Sequence, residues 1–475
     1  MDRNTLNKAL TYISDQHITD AAKPKRRKPY WITVTAAATA AAILLLAILH
    51  GATPQGIQPQ PEYQVLANEV RLAATPRVHI RPNRQDHPDD ASFQTAINEW
   101  LNDLDLQRAT KNSALESLDR FFADSSAIFL SGEGNQLWSP VNAYMGLSSL
   151  TEMTAGESRQ QILDLLGADN ISVLREQTAA IFESAYHSDG NDISKLASSL
   201  WLQNGFSCNS DALDALSYYY YISTHSGELS SSETGQAIAN WLNENTGGQL
   251  KDYPPETLNV QTLAALYSTI YFQAQWFDAF SEAKTFQDTF HSPTGDKAVP
   301  YMHKTVTSAY YWSDRFCAIT LSLSNGGNMW FILPDEDSSV QDLLNDGQYM
   351  EMVLSSGWVN CERSIINLSL PKFDVSGKKS LVDGLKQLGI TDIFSADDAN
   401  FSVFTDMPLY VDFFNQAVRV TIDEKGVTAA AYTEIGLPMT GYPPENIVDF
   451  ILDRPFLFVV EKDNIPLFTG VVNEP

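Results

Sequence analysis

Helical and strand patterns occupy different parts of this chain, and that separation constrains its fold more than any other feature. In segments 114–123, 143–155 and 158–166, apolar residues recur every three or four positions, as in helices that pack on one face. Ser139 followed by Pro140 resembles a helix start, with serine as the capping residue and proline in the first turn. The first third of the region after residue 92 is therefore predicted to be mainly helical.

Strand patterns dominate the later part of the chain. Short apolar runs with β-branched and aromatic residues predict strands at 316–323, 329–333, 365–370, 409–414, 418–422, 456–460 and 467–472. The last two runs suit strands that are buried on both faces. Because helices come first and strands dominate later, the sequence predicts an α+β fold with large sheets.

The N-terminus differs in character from the rest of the chain. Residues 1–30 hold seven basic and three acidic residues, and residues 31–49 then run without a charge. A helix over 31–49 spans roughly 28 Å at about 1.5 Å per residue, close to the roughly 30 Å of a bilayer core. We therefore expect a cytoplasmic basic segment (1–29) and one transmembrane helix (30–50), with the remainder of the chain outside the cell membrane.

Residues 1–92 raise two further questions: whether the N-terminal apolar run is cleaved, and where the globular domain begins. A cleaved signal peptide is the alternative to the anchor, but its charged region would be unusually long, and no small-x-small cleavage site follows. Residues 51–92 contain six prolines and several glutamines, which predicts an extended linker. From residue 93 to residue 475 the pattern is that of one globular domain.

Composition and motifs narrow the range of functions. The formal net charge of −27 argues against nucleic acid as a partner. Three widely spaced cysteines cannot form a disulfide scaffold or a zinc cluster, and the eight histidines are scattered. The sequence holds no G-x-S-x-G, H-E-x-x-H or glycine-rich phosphate motif. We therefore expect a protein that is not an enzyme and that uses no metal or cofactor.

The most informative segment runs from Glu424 to Thr440. From Val427 onward, one alternate set of side chains (427, 429, 431, 433, 435 and 437) is small or apolar and uncharged. The other set contains the only charge and the only phenol. This division suits a strand with one buried face, but two glycines and Pro438 suit an exposed loop equally well. The alternation by itself leaves both conformations open.

Blocks spread along the chain share their sequence and order with one family. They are the run from Thr421 to Gly426 with the alanines after it, the core Asp453-Arg454-Pro455-Phe456 within 450–460, and segments 139–140, 240–250, 270–276, 370–372 and 467–475. Together they resemble the serpins, and the loop resembles that of antitrypsin-like members. The resemblance covers residues 93–475.

The resemblance implies a serpin fold with about nine helices, three β-sheets, a large central sheet and an exposed reactive loop. It also implies a monomer that inhibits serine proteases by suicide. The protease cleaves the loop and forms an acyl-enzyme, and the loop then inserts into the central sheet as a new strand. The anchor suggests a bacterial member with an extracellular serpin domain. The alternative is a non-inhibitory binding or carrier protein whose loop is cleaved as a plain substrate.

Site residues follow from the same resemblance. The hinge of the loop maps to Glu424, Lys425, Gly426, Val427, Thr428, Ala429, Ala430, Ala431 and Tyr432. Val427 stands where inhibitory members usually have threonine or serine, so we expect insertion to survive but to be slower. The region that keeps the central sheet closed maps to Ser139, Asn142, Ser268, Trp276 and Asn415. Three of these positions differ from the usual residues, since Asn415 replaces a histidine, Ser268 an asparagine and Asn142 a serine.

The reactive bond is expected between Met439 and Thr440, because Pro438-Met439-Thr440 is similar to the antitrypsin loop. Counting the family's usual loop length from Glu424 places the bond after Thr440 instead. Methionine is unbranched and apolar and fills medium hydrophobic pockets. The expected targets are therefore elastase-like, subtilisin-like or chymotrypsin-like proteases, not trypsin-like ones.

Overall fold

The computed structural model describes residues 68–74, 82, 84–189, 192–248, 257–324, 326–354, 358, 360–427 and 446–475. The predicted cytoplasmic segment (1–29), the predicted transmembrane helix (30–50) and residues 428–445 lie outside the described residues. Within the described part of the chain, no helix has the combination of length and apolar character that crossing a membrane requires.

Helices form most of the first part of the domain, as the sequence predicts. They are α1 (Asp90–Leu130), α2 (Pro140–Met153), α3 (Gly156–Leu166), α4 (Ile171–Ala185), α5 (Ser210–Tyr219) and α6 (Ser232–Asn245), followed later by α7 (Val340–Asp346), α8 (Gln348–Leu354) and α9 (Val382–Gln387). Ser139 caps α2 through its side chain, and Pro140 occupies the first turn. The predicted cap is therefore confirmed.

Strands fill most of the remainder. In chain order they are β1 (Asn68–Arg71), β2 (Gln136–Trp138), β3 (His187–Asp189), β4 (Asp192–Gln203), β5 (Ile222–Gly227), β6 (Ala264–Gln275), β7 (Thr285–Ser292), β8 (Gly295–Trp312), β9 (Phe316–Ser322), β10 (Asn328–Pro334), β11 (Cys361–Pro371), β12 (Phe373–Ser380), β13 (Asn415–Ile422), β14 (Gly426–Val427), β15 (Ile447–Ile451), β16 (Phe456–Lys462) and β17 (Ile465–Val472). Six of the seven predicted strands are confirmed.

The described strands form two sheets, where three were expected. The central sheet has the order β1-β5-β4-β6-β14-β13-β12, with β3 beside β4. The second sheet has the order β15-β11-β8-β9-β10-β16-β17-β2, with β7 beside β8. The expected second and third sheets are joined because β8 is one continuous strand, which pairs with β7 over its first part and with β9 at its end.

Helix α2 connects the two sheets through the core. All fourteen of its residues are buried, and it contacts both β6 of the central sheet and β17 of the second sheet. Every residue of β17 is buried as well. A helix that is enclosed all round must satisfy its polar side chains internally, so α2 is a natural place for fixed hydrogen bonds between the sheets.

Segment 409–414 is not a strand, contrary to the prediction. Its Val411 N–H donates to the carbonyl of Ile393, outside any ladder, and Phe414 packs against Gly146 of α2. A Cβ at Gly146 would lie 2.8 Å from the Phe414 ring, so the ring needs that glycine. The apolar run therefore covers a helix instead of pairing with a neighbouring strand.

Part of the predicted linker (51–92) is also structured. β1 pairs antiparallel with β5, and Arg71 forms an ion pair with Asp214 of α5 at 2.6 Å. Prolines limit strands through their missing N–H group, and residues 62–75 contain none. Helix α1 begins at Asp90, three residues before the predicted domain boundary.

Candidate functional site

The central sheet is interrupted between β6 and β13. Between these strands the described residues hold only β14, where Val427 pairs with Ala274 of β6 and Ile422 of β13, and Gly426 pairs with Gln275. Below this point, residues 264–273 of β6 pair with β4, and residues 415–421 of β13 pair with β12. Among the described strands, no ladder joins the facing edges of β6 and β13. The described residues thus leave a gap between β6 and β13 and occupy it at the end where β14 lies.

The residues that enter the gap fit it closely. A Cβ at Gly426 would lie 2.2 Å from the carbonyl oxygen of Ala274, so the backbones approach too closely for any other residue. The next side chain, Val427, is 1% exposed. The predicted first buried position of the hinge is thus buried between the two strands in this structure.

Glu424 ties the base of the loop to the neighbouring strands. Its carboxylate accepts hydrogen bonds from Lys372 at 2.8 Å and from the Thr285 hydroxyl at 2.9 Å. Burial raises the pKa of this carboxyl, but the bonds from Lys372 and Thr285 outweigh it and hold the pKa below its ordinary value. The charged form of Glu424 is therefore stabilised by the folded arrangement.

Trp276 lies against the same turn. Its indole N–H donates to the carbonyl of Asp423 at 2.9 Å, and its backbone N–H donates to the carbonyl of Lys425 at 3.0 Å. The Asp423 side chain in turn accepts from the backbone N–H groups of Lys425 and Gly426. We name Trp276, Lys372, Glu424, Gly426 and Val427 the hinge anchor.

A second polar contact joins α2 to β13. The side-chain amide of Gln416 donates to the carbonyl of Ser139 and accepts from its N–H, each at 2.9 Å. The Ser139 hydroxyl donates to the carbonyl of Leu467 in β17 at 2.7 Å. Gln416 is 4% exposed and Ser139 fully buried, so each of these polar groups depends on the other.

A third contact joins α2 to β6. The Ser268 hydroxyl donates to the side-chain oxygen of Asn142, and the Asn142 side-chain amide lies 3.4 Å from the carbonyl of Ser268. Ser198 of β4 donates to the Ser268 hydroxyl at 3.0 Å. We name Ser139, Asn142, Ser268 and Gln416 the sheet clamp. It holds β6 and β13 to the same buried helix, one strand on each side of the gap.

The structure corrects one predicted member of this cluster. Asn415 is exposed and pairs with Ser380 of β12, whereas its neighbour Gln416 makes the contact with Ser139. Adjacent residues of a strand point to opposite faces, so a shift of one residue moves the side chain out of the site. The alternation of buried Val418, Val420 and Ile422 places Gln416 on the inner face, and that signal could have found it.

The remaining predicted residues divide into two groups. Ser139, Asn142, Ser268 and Trp276 lie beside the gap or the hinge, as the resemblance implied. Outside the described residues lie the later hinge positions and the reactive bond: Thr428, Ala429, Ala430, Ala431, Tyr432, Met439 and Thr440.

Comparison with known proteins gives one consistent result. Residues 119–475 match the family model for Serpin (serine protease inhibitor). A serine protease inhibitor of Cyanea capillata is 27% identical over 368 residues, which is 74% of this chain and 95% of that protein. Alpha-1-antiproteinase 2 of Equus caballus is 27% identical over 353 residues, covering 72% of this chain and 82% of that protein.

Solved structures share the fold. The thermophilic serpin tengpin in its native state superposes with a TM-score of 0.68 at 22% identity, covering 86% of this chain and 100% of that one. Thyroxine-binding globulin in complex with thyroxine has a TM-score of 0.64 at 20% identity, covering 75% of this chain and 99% of that one.

In the described part of the central sheet, β6 and β13 are separated, and Gly426 and Val427 lie between them at one end. This chain belongs to the serpin family. Members are mostly protease inhibitors, and the thyroxine complex shows that the same fold also forms a binding protein.

Proposed function

We propose that this protein is a loop-insertion inhibitor of extracellular serine proteases. The observation that carries the proposal is the gap between β6 and β13, which the hinge residues Gly426 and Val427 already enter. Cleavage of the loop would free the following residues to continue β14 along the gap. The new strand would pair with the facing edges of β6 and β13 and supply the hydrogen bonds that those edges do not make with one another.

The register of β14 supports this proposal quantitatively. Val427 pairs with Ala274, so continued antiparallel pairing would set residue 437 opposite Ala264, the first residue of β6. The uncharged set from residue 427 to residue 437 therefore spans the same number of residues as β6 does from Ala274 to Ala264. Its members from 429 to 435 would pair with residues 272 to 266 and share the buried face of Val427.

The free energy of insertion would come mainly from this face. Burying Ile435 and Leu437 contributes about 2 kcal/mol each, and the two alanines and Thr433 add about 1 kcal/mol or less each. A charge on that face would oppose insertion by several kcal/mol, and the sequence has none there. The ladder hydrogen bonds on both edges of the new strand add to this burial, and together they would offset the entropy lost when the strand is ordered.

The proposed reactive bond is Met439–Thr440, with elastase-like, subtilisin-like or chymotrypsin-like proteases as targets. The apolar, unbranched Met439 side chain supports a medium hydrophobic specificity pocket in the protease. We further propose that the uncharged run after the basic segment tethers the inhibitor to a cell membrane, with the serpin domain outside.

Denaturing electrophoresis tests the inhibitory function. The full chain, in mild detergent, is incubated with neutrophil elastase. An inhibitor gives a covalent band near the summed masses of the two proteins. Complete conversion to a clipped chain without that band would contradict inhibition and support the binding-protein alternative, which the thyroxine-binding globulin fold and the unusual Val427 favour.

Mass spectrometry of the loop fragment released from the complex then locates the bond. Cleavage after Met439 is expected, and cleavage elsewhere would contradict the assignment of this residue.

A further inference from the structure

The surface around the base of the loop carries exposed apolar side chains. Phe277 is 74% exposed and Phe286 is 55% exposed. On strand β15, which receives the chain after the loop, Ile447 is 66% exposed and Ile451 is 44% exposed. We name Phe277, Phe286, Ile447 and Ile451 the loop-side patch. Clustered exposed apolar side chains mark interaction surfaces more often than single ones do.

Hydrogen bonds place the two phenylalanines beside the hinge anchor. Phe277 follows Trp276, whose backbone N–H donates to Lys425, and Phe286 follows Thr285, whose hydroxyl donates to Glu424. Each aromatic side chain is thus one residue away from a direct contact with the base of the loop.

Phe286 also lies on a fixed support. Its ring stacks on the His303 ring, with centroids 3.9 Å apart and planes 10° from parallel. The His303 Nδ1 lies 2.9 Å from the Ser369 hydroxyl, and Ser369 pairs with Ile451. These contacts form a row of side chains that begins at Phe286 of β7, passes through His303 of β8 and Ser369 of β11, and ends at Ile451 of β15. An aromatic side chain held in this way loses little conformational entropy when a partner covers it.

Carboxylates stand beside the members of the patch. Asp278, which follows Phe277, is 72% exposed but already forms an ion pair with Lys304 at 2.7 Å, so the carboxylates open to a partner are those further along the patch. Asp288 lies two residues after Phe286 on the same strand face, and Asp449 lies between Ile447 and Ile451; both are exposed. An apolar surface with acidic neighbours is complementary to a partner whose apolar rim carries lysine or arginine.

We infer that the loop-side patch is a docking surface for the target protease, specific for proteases with a basic, apolar rim around the active-site cleft. The inference rests on the proposed function and extends it, because it assigns recognition to the body of the protein in addition to the loop. Carboxylates near the patch speed the encounter, and the fixed apolar side chains lengthen the lifetime of the docked complex.

An inactive protease isolates docking from loop insertion. The probe is neutrophil elastase, a basic protease, with its active-site serine replaced by alanine, so that it binds the loop but cannot cut it. Its affinity for the immobilised full chain is measured by surface plasmon resonance at several ionic strengths. Phe286→Ser and Ile451→Ser are each expected to weaken binding about 3- to 10-fold. Raising the ionic strength should lower the affinity of the wild type for the probe. The affinity of Asp288→Asn should fall less over the same range of ionic strength, because this variant has lost one of the charges.

Val260→Ser is the matched control. Val260 is 82% exposed, and it precedes β6 at the end opposite the hinge, about 40 Å away at 3.3 Å per strand residue. Its substitution should leave the affinity unchanged. Thermal unfolding of every variant should match the wild type within about 2 °C, since each side chain is at the surface.

Equal affinities for the wild type and the patch variants would overturn the inference, and so would a wild type that does not bind this probe. Failure of the proposed function has a different signature. In that case the inactive elastase still binds with the dependence on Phe286 and Ile451, while active elastase gives no covalent complex.

Discussion

The two sheets of this protein differ in completeness more than in composition. In the second sheet, β10, β16, β17 and β2 form an uninterrupted ladder, and all eight residues of β17 are buried. In the central sheet, the described residues join β6 to β13 only through the two residues of β14. In the proposed mechanism the second sheet keeps its pairing before and after cleavage, whereas the central sheet gains a strand from the same chain. Under that proposal, the free energy that drives inhibition lies in backbone pairing as well as in side-chain packing.

The two ends of the gap also differ. At the hinge end, Gly426 and Val427 fill the space between the strands. At the opposite end a cleft of about 280 Å³ lies between residues 259–266 and residues 408–414, with Leu150 and Met153 of α2 also among its lining residues. In the proposed mechanism, the sheet clamp resists separation of β6 and β13, because it bonds both strands to α2.

The largest effect is expected in the complete sheet. Phe458→Ala should lower the free energy of unfolding by about 3–5 kcal/mol, because Phe458 is fully buried and its ring packs against Gly470. Urea unfolding checks this value. Since the sheet is complete in both states, the loss should be similar before and after cleavage of the loop. A much smaller loss after cleavage would contradict the distinction between the two sheets.

The next largest effect is expected at the mouth of the gap. Gly426→Val should lower the free energy of unfolding of the intact chain by about 2 kcal/mol or more, because the new Cβ would overlap the carbonyl of Ala274 beside which Gly426 already lies. Displacement of the backbone at this position should also hinder the extension of β14, so elastase should release more clipped chain and less covalent complex. Electrophoresis with wild type as the control measures the ratio of the two products. An unchanged ratio would contradict entry of the loop at this position.

The sheet clamp gives a paired test. Gln416→Ala leaves the buried N–H of Ser139 without a partner and removes one of the two hydrogen bonds to the Ser139 carbonyl, which keeps the bond from the Ala143 N–H, so it should destabilise the native state by about 2 kcal/mol. The neighbouring Asn415→Ala is the control and should change stability by less than about 0.5 kcal/mol, because Asn415 is exposed. Urea unfolding of both variants decides the matter. Equal losses of unfolding free energy in the two variants would contradict the assignment of Gln416 to the sheet clamp.

The smallest effect concerns the ion pair at the hinge. Glu424→Gln should cost about 1 kcal/mol at neutral pH, a modest value because Lys372 is about one third exposed. The lowered pKa of Glu424 means that its stabilisation is complete above the ordinary glutamate pKa of about 4.3 and is lost as the pH falls through the folded value. The melting temperatures of wild type and variant should therefore converge below pH 4. A difference between the two melting temperatures that stays constant with pH would exclude this linkage.

Much of this architecture could be predicted from local sequence patterns. The periodicity of 143–155 predicted α2, and the resemblance placed Val427 in the hinge, where the structure shows its side chain buried. Other features depend on contacts that are distant in sequence. The run 409–414 looks like a strand, but Gly146 offers its Phe414 a place on α2. The pairing of β1 with β5 joins residues about 150 positions apart, and no local pattern in a proline-rich segment indicates it.

The clamp shows the limit of transfer from a family pattern. Position by position comparison selected Asn415, one residue from the side chain that makes the contact. The strand alternation of Val418, Val420 and Ile422 carries the correct phase and would have chosen Gln416. Physical periodicity is therefore a useful check on residues assigned by resemblance.

The central claim is that the native central sheet is incomplete and that cleavage allows its completion. The most direct measurement is the melting temperature of the full chain before and after limited cleavage of the loop by elastase. Insertion that adds a strand to the central sheet should raise the melting temperature by several degrees, about 1 °C or more for each kcal/mol that the inserted state gains. A cleaved chain that melts at the same temperature as the intact one, or below it, would contradict the account.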